Sequence, residues 1–113
     1  MGEIYVGLMS GTSADAIDAA AIEIDETSIR LLHTYSQPLT ENLRQHIHEV
    51  TAGDNDRLEN VSSLDLALGV AFADAALELI AGLDRPPRAI GCHGQTVRHC
   101  PGRQFTVQLG GGA

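Results

Sequence analysis

The chain has 113 residues, 43% of them hydrophobic, so it is long and apolar enough to bury a core of its own. Its net charge is −8, and all seven cations are scattered arginines, which argues against nucleic-acid and membrane partners. No segment has the roughly 18 consecutive apolar residues that span a bilayer, and the N-terminus lacks a signal-peptide pattern. We therefore expect a cytoplasmic protein whose two cysteines are reduced.

Three strands joined by two turns are predicted first. Glu3–Met9 is an apolar run typical of a central strand, and Ile17–Ile24 is a second strand, although its three consecutive alanines leave a helix open. Ser28–Tyr35 is the third strand, and the three together predict an antiparallel meander. The period of two places one set of third-strand residues towards the core: Ile29, Leu31 and His33.

Two helices are predicted next. Thr40 is a candidate N-cap for the first, which Gly53 ends, and its apolar positions recur at helical spacing. Leu58–Leu83 carries a longer apolar stripe that begins at Leu58, and Gly82 with the two prolines that follow ends it.

Two short strands complete the pattern. Arg88–His93 follows a helix, so we expect it to run parallel to the first strand, and Gln104–Leu109 is the last strand. This order predicts an α/β fold: an incomplete ribonuclease H-like lobe with a mixed sheet, made of a three-strand meander plus a parallel strand, and packed helices. The glycine run at 110–112 is an unusual end for a packed domain, so we expect residues 1–113 to be a fragment or an excised domain of a longer protein.

The first candidate site is the turn after the first strand. Ser10, Thr12 and Ser13 flank Gly11, so backbone N–H groups and short hydroxyls can converge on one point. A concave array of this kind binds anions, phosphate above all. The turn lacks the lysine of a Walker-type loop. A hairpin turn without a ligand explains the same residues, because Gly and Ser are ordinary turn residues.

The second candidate site is His93-Gly-Gln-Thr96, at the predicted carboxyl end of a strand, where open α/β sheets bind ligands. Its imidazole, amide and hydroxyl groups can orient a polar ligand, or they can bond their own backbone. Cys92-His93 and His99-Cys100 form a cluster of zinc-ligand types, but adjacent ligand pairs are geometrically awkward, and we interpret the two cysteines as structural.

The sequence Met9-Ser-Gly-Thr-Ser13, followed by Asp15 and Asp18, resembles the N-terminal signature of the anhydro-N-acetylmuramic acid kinases, which belong to the hexokinase/actin-like superfamily. His93-Gly-Gln-Thr96 with His99 and Pro101 is similar to a second element of that family. The resemblance implies an enzyme that opens 1,6-anhydro-N-acetylmuramic acid and phosphorylates its O6 with ATP and Mg²⁺, in cell-wall recycling. The resemblance also leaves room for a homodimer of the full-length protein.

The resemblance also implies roles for residues. The segment 11–18 would hold the ATP phosphates; its residues are Gly11, Thr12, Ser13, Ala14, Asp15, Ala16, Ile17 and Asp18. Asp15 or Asp18 would orient Mg²⁺ through water, and the sugar would meet His93, Gln95 and Thr96. The general base of the family lies downstream, so we expect no catalytic residue in this chain and no activity from it alone.

The chain departs from the family pattern at two positions of the first motif. Ala14 replaces a large apolar residue and Ala16 replaces a glycine, so we expect backbone strain of about 1 kcal/mol at Ala16 if that position needs a positive φ. Two other interpretations are open: a non-enzymatic domain that senses nucleotide or phosphate, and another kinase or phosphatase of the superfamily.

Overall fold

The computed structural model describes residues 2–11 and 13–110, which form one mixed sheet with two α-helices packed on it. The helices are α1 (Glu41–Ala52) and α2 (Leu58–Ala81), and a short 3-10 turn spans Pro101–Arg103. The strands are β1 (Glu3–Ser10), β2 (Ala16–Ile24), β3 (Ile29–Pro38), β4 (Ala89–Cys100) and β5 (Phe105–Leu109).

The sheet has the strand order β3-β2-β1-β4-β5. Strands β1, β2 and β3 form an antiparallel meander, β4 pairs parallel to β1, and β5 returns antiparallel to β4. The predicted α/β class, the meander and the parallel strand are confirmed. The arrangement is consistent with an incomplete ribonuclease H-like lobe.

The core lies between α2 and one face of the sheet. Alternate residues of β1 point into it, and the small side chains of Ala19 and Ala21 on β2 let the helix approach closely. The opposite face of the sheet is open, and Met9 of β1 is 47% exposed on it. The largest buried apolar side chains come from both helices and the sheet: Ile4, Ile17, Ile47, Leu64, Leu68 and Leu79.

The predicted core face of β3 is wrong, because none of its three residues is buried and His33 is exposed as well. Ile29 is 71% exposed and Leu31 is 62% exposed, whereas Leu32 and Tyr35 pack against the core. The cause is a register shift: Ala21 pairs with His33 but Ile22 pairs with Leu31, which leaves Leu32 as an extra residue in β3. Such a bulge breaks the period of two, so the residues on its two sides face opposite ways.

The ends of the helices follow the predicted signals. The hydroxyl of Thr40 accepts a hydrogen bond from the backbone N–H of Leu43 at 3.2 Å, and Gly53 ends α1 with a φ of 81°. Helix α2 ends at Ala81, but Leu58 at its start is 76% exposed and does not join the buried stripe as predicted. Within the described residues, neither helix combines the length and the apolar character needed to cross a membrane.

Candidate phosphate-binding turn and its support

The turn after β1 lies at the edge of the sheet where β1 ends and β2 begins. The backbone N–H of Ala14 donates to the carbonyl of Gly11 at 3.0 Å and closes the turn. Ser13 and Asp15 are exposed, whereas Ala14 is fully buried. The predicted site residue Thr12 lies outside the described residues. The turn therefore presents at least one hydroxyl and one carboxylate outward, as a ligand site requires.

The strain expected at Ala16 is absent there and lies at Ala14 instead. Ala16 is the first residue of β2 and pairs with Pro38, while Ala14 has a φ of 54°. A left-handed alanine costs roughly 1–2 kcal/mol, so the turn holds a backbone shape that its sequence disfavours. The burial of Ala14 also explains why an apolar side chain suits position 14.

Strand β4 carries a bulge opposite the end of β1. Leu8 pairs with Cys92 but Ser10 pairs with Gln95, so β4 advances three residues while β1 advances two. Gly94 has a φ of 78°, and a Cβ at that position would lie 2.5 Å from the carbonyl oxygen of Leu109. Only glycine combines a favourable positive φ with the absence of a Cβ, so it suits this position. The bulge turns the next side chain, that of Gln95, towards the interior.

Gln95 lies beneath the turn and is bonded to it. Its side chain is 1% exposed, and its Oε1 accepts a hydrogen bond from the hydroxyl of Ser10 at 2.5 Å. Its Nε2 donates to the carbonyls of Gly11 and Thr96, each at 3.1 Å. The second motif therefore lies directly against the first, and it lies inside β4 instead of following a strand that ends at His93 as predicted.

The two predicted metal-orienting carboxylates lie in different surroundings. Oδ1 of Asp15 accepts from the guanidinium of Arg44 on α1 at 3.1 Å. Asp18 is exposed on the open face of the sheet, where it lines a cavity of about 910 Å³ together with Met9 and His93. Two exposed carboxylates fit Mg²⁺ held partly by water and by phosphate oxygens, which is how this ion is commonly bound.

The predicted sugar-contacting residues are divided between two environments. His93 is exposed and lines the same open cavity as Asp18, Thr96 is half-buried, and Gln95 is buried under the turn. The family resemblance assigned Asp18 to the nucleotide and His93 to the sugar, whereas both residues line one cavity in the structure. Side chains alternate between the two faces of a sheet, and this alternation could have placed Asp18 and His93 on the same open face. The prediction missed it because the predicted strand ended at His93, whereas β4 continues to Cys100.

The cysteine–histidine cluster remains spread along β4. Cys92 and Cys100 are both free and partly buried, and the thiol of Cys92 lies 3.9 Å from the carbonyl of Gly110. Burial raises the pKa of the Cys92 thiol above its ordinary value, which lowers its reactivity. Across residues 2–11 and 13–110, no three or more His, Cys, Asp or Glu side chains converge as metal ligands.

One contact directly after β5 is not predicted by any pattern in the sequence. The backbone N–H of Gly110, directly after β5, donates to Oδ1 of Asp65 on α2 at 2.6 Å. Gly110 has a φ of 84°, and a Cβ there would lie 2.7 Å from Leu68 and 2.9 Å from the ring of Phe72. This glycine is therefore needed where the backbone passes close to the helix, next to the core.

Known proteins match the chain along almost its whole length. A family model described as anhydro-N-acetylmuramic acid kinase matches residues 3–113. A protein named anhydro-N-acetylmuramic acid kinase from Photobacterium profundum is 45% identical over 113 residues, which cover 96% of this chain. Relatives with the same name from Vibrio vulnificus and Shewanella loihica are 44% and 39% identical, over 96% and 94% of this chain. The chain spans about 30% of the length of each of these relatives.

Proposed function

Since this chain belongs to the anhydro-N-acetylmuramic acid kinase family, we propose that it is the N-terminal part of an enzyme that phosphorylates 1,6-anhydro-N-acetylmuramic acid with ATP and Mg²⁺. Water adds to C1 as the C1–O6 bond breaks, the γ-phosphoryl group passes to O6, and a general base takes the proton of the water. The products are N-acetylmuramic acid 6-phosphate and ADP. The proposal places the enzyme in the cytoplasm and in peptidoglycan recycling.

The observation that carries this proposal is the turn after β1. It lies at the carboxyl end of the central strand β1, and its Gly11 carbonyl accepts a hydrogen bond from the buried side chain of Gln95. Ser13 and Asp15 are exposed on its outer side. Phosphoryl transfer depends on positioning and on charge stabilisation, and a turn of this kind can supply both through N–H and hydroxyl donors. The body of the chain is acidic, so a metal ion is needed to bring the nucleotide close.

Each remaining residue has a proposed role within this scheme. The segment 11–18 holds the phosphates, and Asp15 or Asp18 orients a water molecule on Mg²⁺. His93 and Thr96 face the sugar, which the exposed position of His93 on the open cavity supports. The general base comes from the rest of the enzyme, so residues 1–113 alone should not turn over ATP with the anhydro-sugar. The complete enzyme is proposed to form a homodimer, which light scattering can test.

The test uses the complete enzyme with Thr12→Ala and Ser13→Ala. We expect each variant to raise the KM for ATP by about tenfold, the effect of losing one good hydrogen bond, while the KM for the anhydro-sugar changes less than about twofold. Ser62→Ala on the exposed surface of α2 is the matched control. Equal losses for both substrates would count against the phosphate role. If the wild-type enzyme prefers another phosphoryl acceptor in a panel of sugars and acyl acids, the proposed substrate is wrong.

A further inference from the structure

We propose that Gln95 is a positioning residue for the nucleotide. Its buried amide fixes the turn after β1 in the shape that receives the ATP phosphates, so this part of the second motif serves the nucleotide and not the sugar. The inference rests on the proposed function, because it assumes that the turn binds phosphate. It assigns Gln95 a role different from that of its neighbours His93 and Thr96.

The amide of Gln95 is buried, and its hydrogen-bonding groups all have partners within the protein. A side-chain amide that is 1% exposed must have partners, because burying an amide without hydrogen bonds is strongly unfavourable. Both hydrogens of Nε2 have carbonyl partners, and Oε1 accepts from Ser10. The amide is therefore committed to protein groups and has no group directed to a sugar in the open cavity.

The bulge in β4 sets the direction in which the Gln95 side chain points. Cys92 pairs with Leu8 on the helix-facing side of the sheet. Without a bulge, a residue three positions later would face the opposite, open side, because side chains alternate along a strand. The extra residue at Gly94 returns Gln95 to the helix-facing side, beneath Ser10. The backbone is thus arranged to place this amide under the turn.

Gln95 donates to a backbone carbonyl that helps to close the turn. The oxygen of Gly11 accepts from two donors, the backbone N–H of Ala14 and Nε2 of Gln95. The turn contains a left-handed alanine, which disfavours this backbone shape. A second donor on the same carbonyl offsets that cost and prevents the Gly11 peptide from rotating. Removing the amide should therefore relax the turn without touching the residues of the open cavity.

The experiment compares two affinities in the complete enzyme. Gln95→Met keeps the length of the side chain and removes its polar groups, and Ser10→Ala removes one bond of the same link. Calorimetry measures the Kd for ATP–Mg²⁺ without sugar and the Kd for the anhydro-sugar without ATP, and thermal unfolding checks that each variant folds. Gln45→Met, which changes an exposed glutamine of α1, is the matched control.

We expect Gln95→Met to raise the Kd for ATP–Mg²⁺ by about tenfold and Ser10→Ala to raise it by about threefold, with the Kd for the sugar within about twofold in both. In steady state, the KM for ATP should rise more than kcat falls. A role in global stability alone would weaken both ligands together or neither.

Three outcomes would overturn the inference: a loss confined to the sugar, an equal loss for both ligands, and no loss in a folded Gln95→Met variant. If Gln95→Met does not fold, Ser10→Ala tests the inference through the same comparison, the change in the Kd for ATP–Mg²⁺ against the change in the Kd for the sugar. A wild-type enzyme that binds ATP–Mg²⁺ but does not phosphorylate the anhydro-sugar would end the proposed function, and the positioning role would still be decided by the ATP affinities.

Discussion

The two hairpin turns of the meander contain similar residues and are stabilised in opposite ways. In the turn between β2 and β3, Oδ1 of Asp25 accepts from the backbone N–H groups of Thr27 and Ser28 at 2.9 and 2.8 Å. It also accepts from both of their hydroxyls at 3.2 Å. The turn between β1 and β2 is instead bonded by Gln95, which lies on another strand.

The difference shows which kind of turn can serve a ligand. A turn that directs its own N–H and hydroxyl donors onto its own carboxylate has used them, and the lowered pKa of Asp25, caused first by those backbone hydrogen bonds, reports this. A turn supported from beneath can leave its side chains outward, as Ser13 does. Both turns are rich in Ser, Thr and Asp, so composition alone does not distinguish them.

The largest loss of stability is expected at Gly94, in the bulge of β4 that places Gln95 under the first turn. Gly94→Ala places a Cβ 2.5 Å from the carbonyl oxygen of Leu109 in a left-handed backbone conformation. We expect a loss of roughly 3 kcal/mol or more in the free energy of unfolding, from strain and overpacking together. Urea denaturation of the complete enzyme measures it. Gly102→Ala, which has open space around its Cβ, should change little, and equal losses in the two variants would contradict the role of the bulge.

A smaller effect is expected in the second turn. Asp25→Ala removes the acceptor of four hydrogen bonds, so the enzyme should lose stability, but its Kd for ATP–Mg²⁺ should stay unchanged because the donors of this turn are already used within it. A weakened ATP affinity in a folded variant would break the distinction between the two turns.

The same carboxylate predicts a dependence on pH. The pKa of Asp25 is lowered in the folded protein from its ordinary value of 3.8. Its contribution to stability is therefore complete above about pH 4 and is lost as the pH falls through the folded pKa. The stability difference between wild type and Asp25→Ala should shrink below pH 4 in acid denaturation. A difference that stays constant down to pH 2 would show that the carboxylate charge is not involved.

The smallest effect concerns the ion pair that joins α1 to the first turn. Arg44 and Asp15 are 44% and 66% exposed at their side chains, so water and salt screen their attraction. We expect Arg44→Ala to cost less than about 1 kcal/mol of stability and the cost to vanish in 0.5 M salt. A larger loss that persists in salt would mean that the first turn is supported from the α1 side as well as by Gln95.

The sequence predicted the elements well and the directions of side chains less well. The apolar runs located all five strands, and Thr40 and Gly53 marked the ends of α1, because caps are local signals. Two bulges account for the main errors. One leaves Leu32 as an extra residue in β3 and reverses the exposure of Ile29 and Leu31, and the other buries Gln95.

The positions of the two motifs in the sheet were predicted only in part. The turn after β1 does lie at a strand end, and the second motif lies next to it in space. The sequence could not show that β4 continues past His93, because the pairing that extends it comes from β5, a strand beyond a 3-10 turn. The surroundings of His93, Gln95 and Thr96 therefore depend on how β4 pairs with β1 and β5, which the local sequence does not reveal.

The bond between Ser10 and Gln95 joins positions 85 residues apart, and this sets an order of events during synthesis. The meander consists of neighbouring segments and can form early, because short loops close at little entropic cost. At about 5–20 residues per second, the ribosome needs several seconds more before the later strand emerges. Until then the turn lacks its inner partner, so under the proposed role a nascent chain could bind a nucleotide only after that strand has joined the sheet.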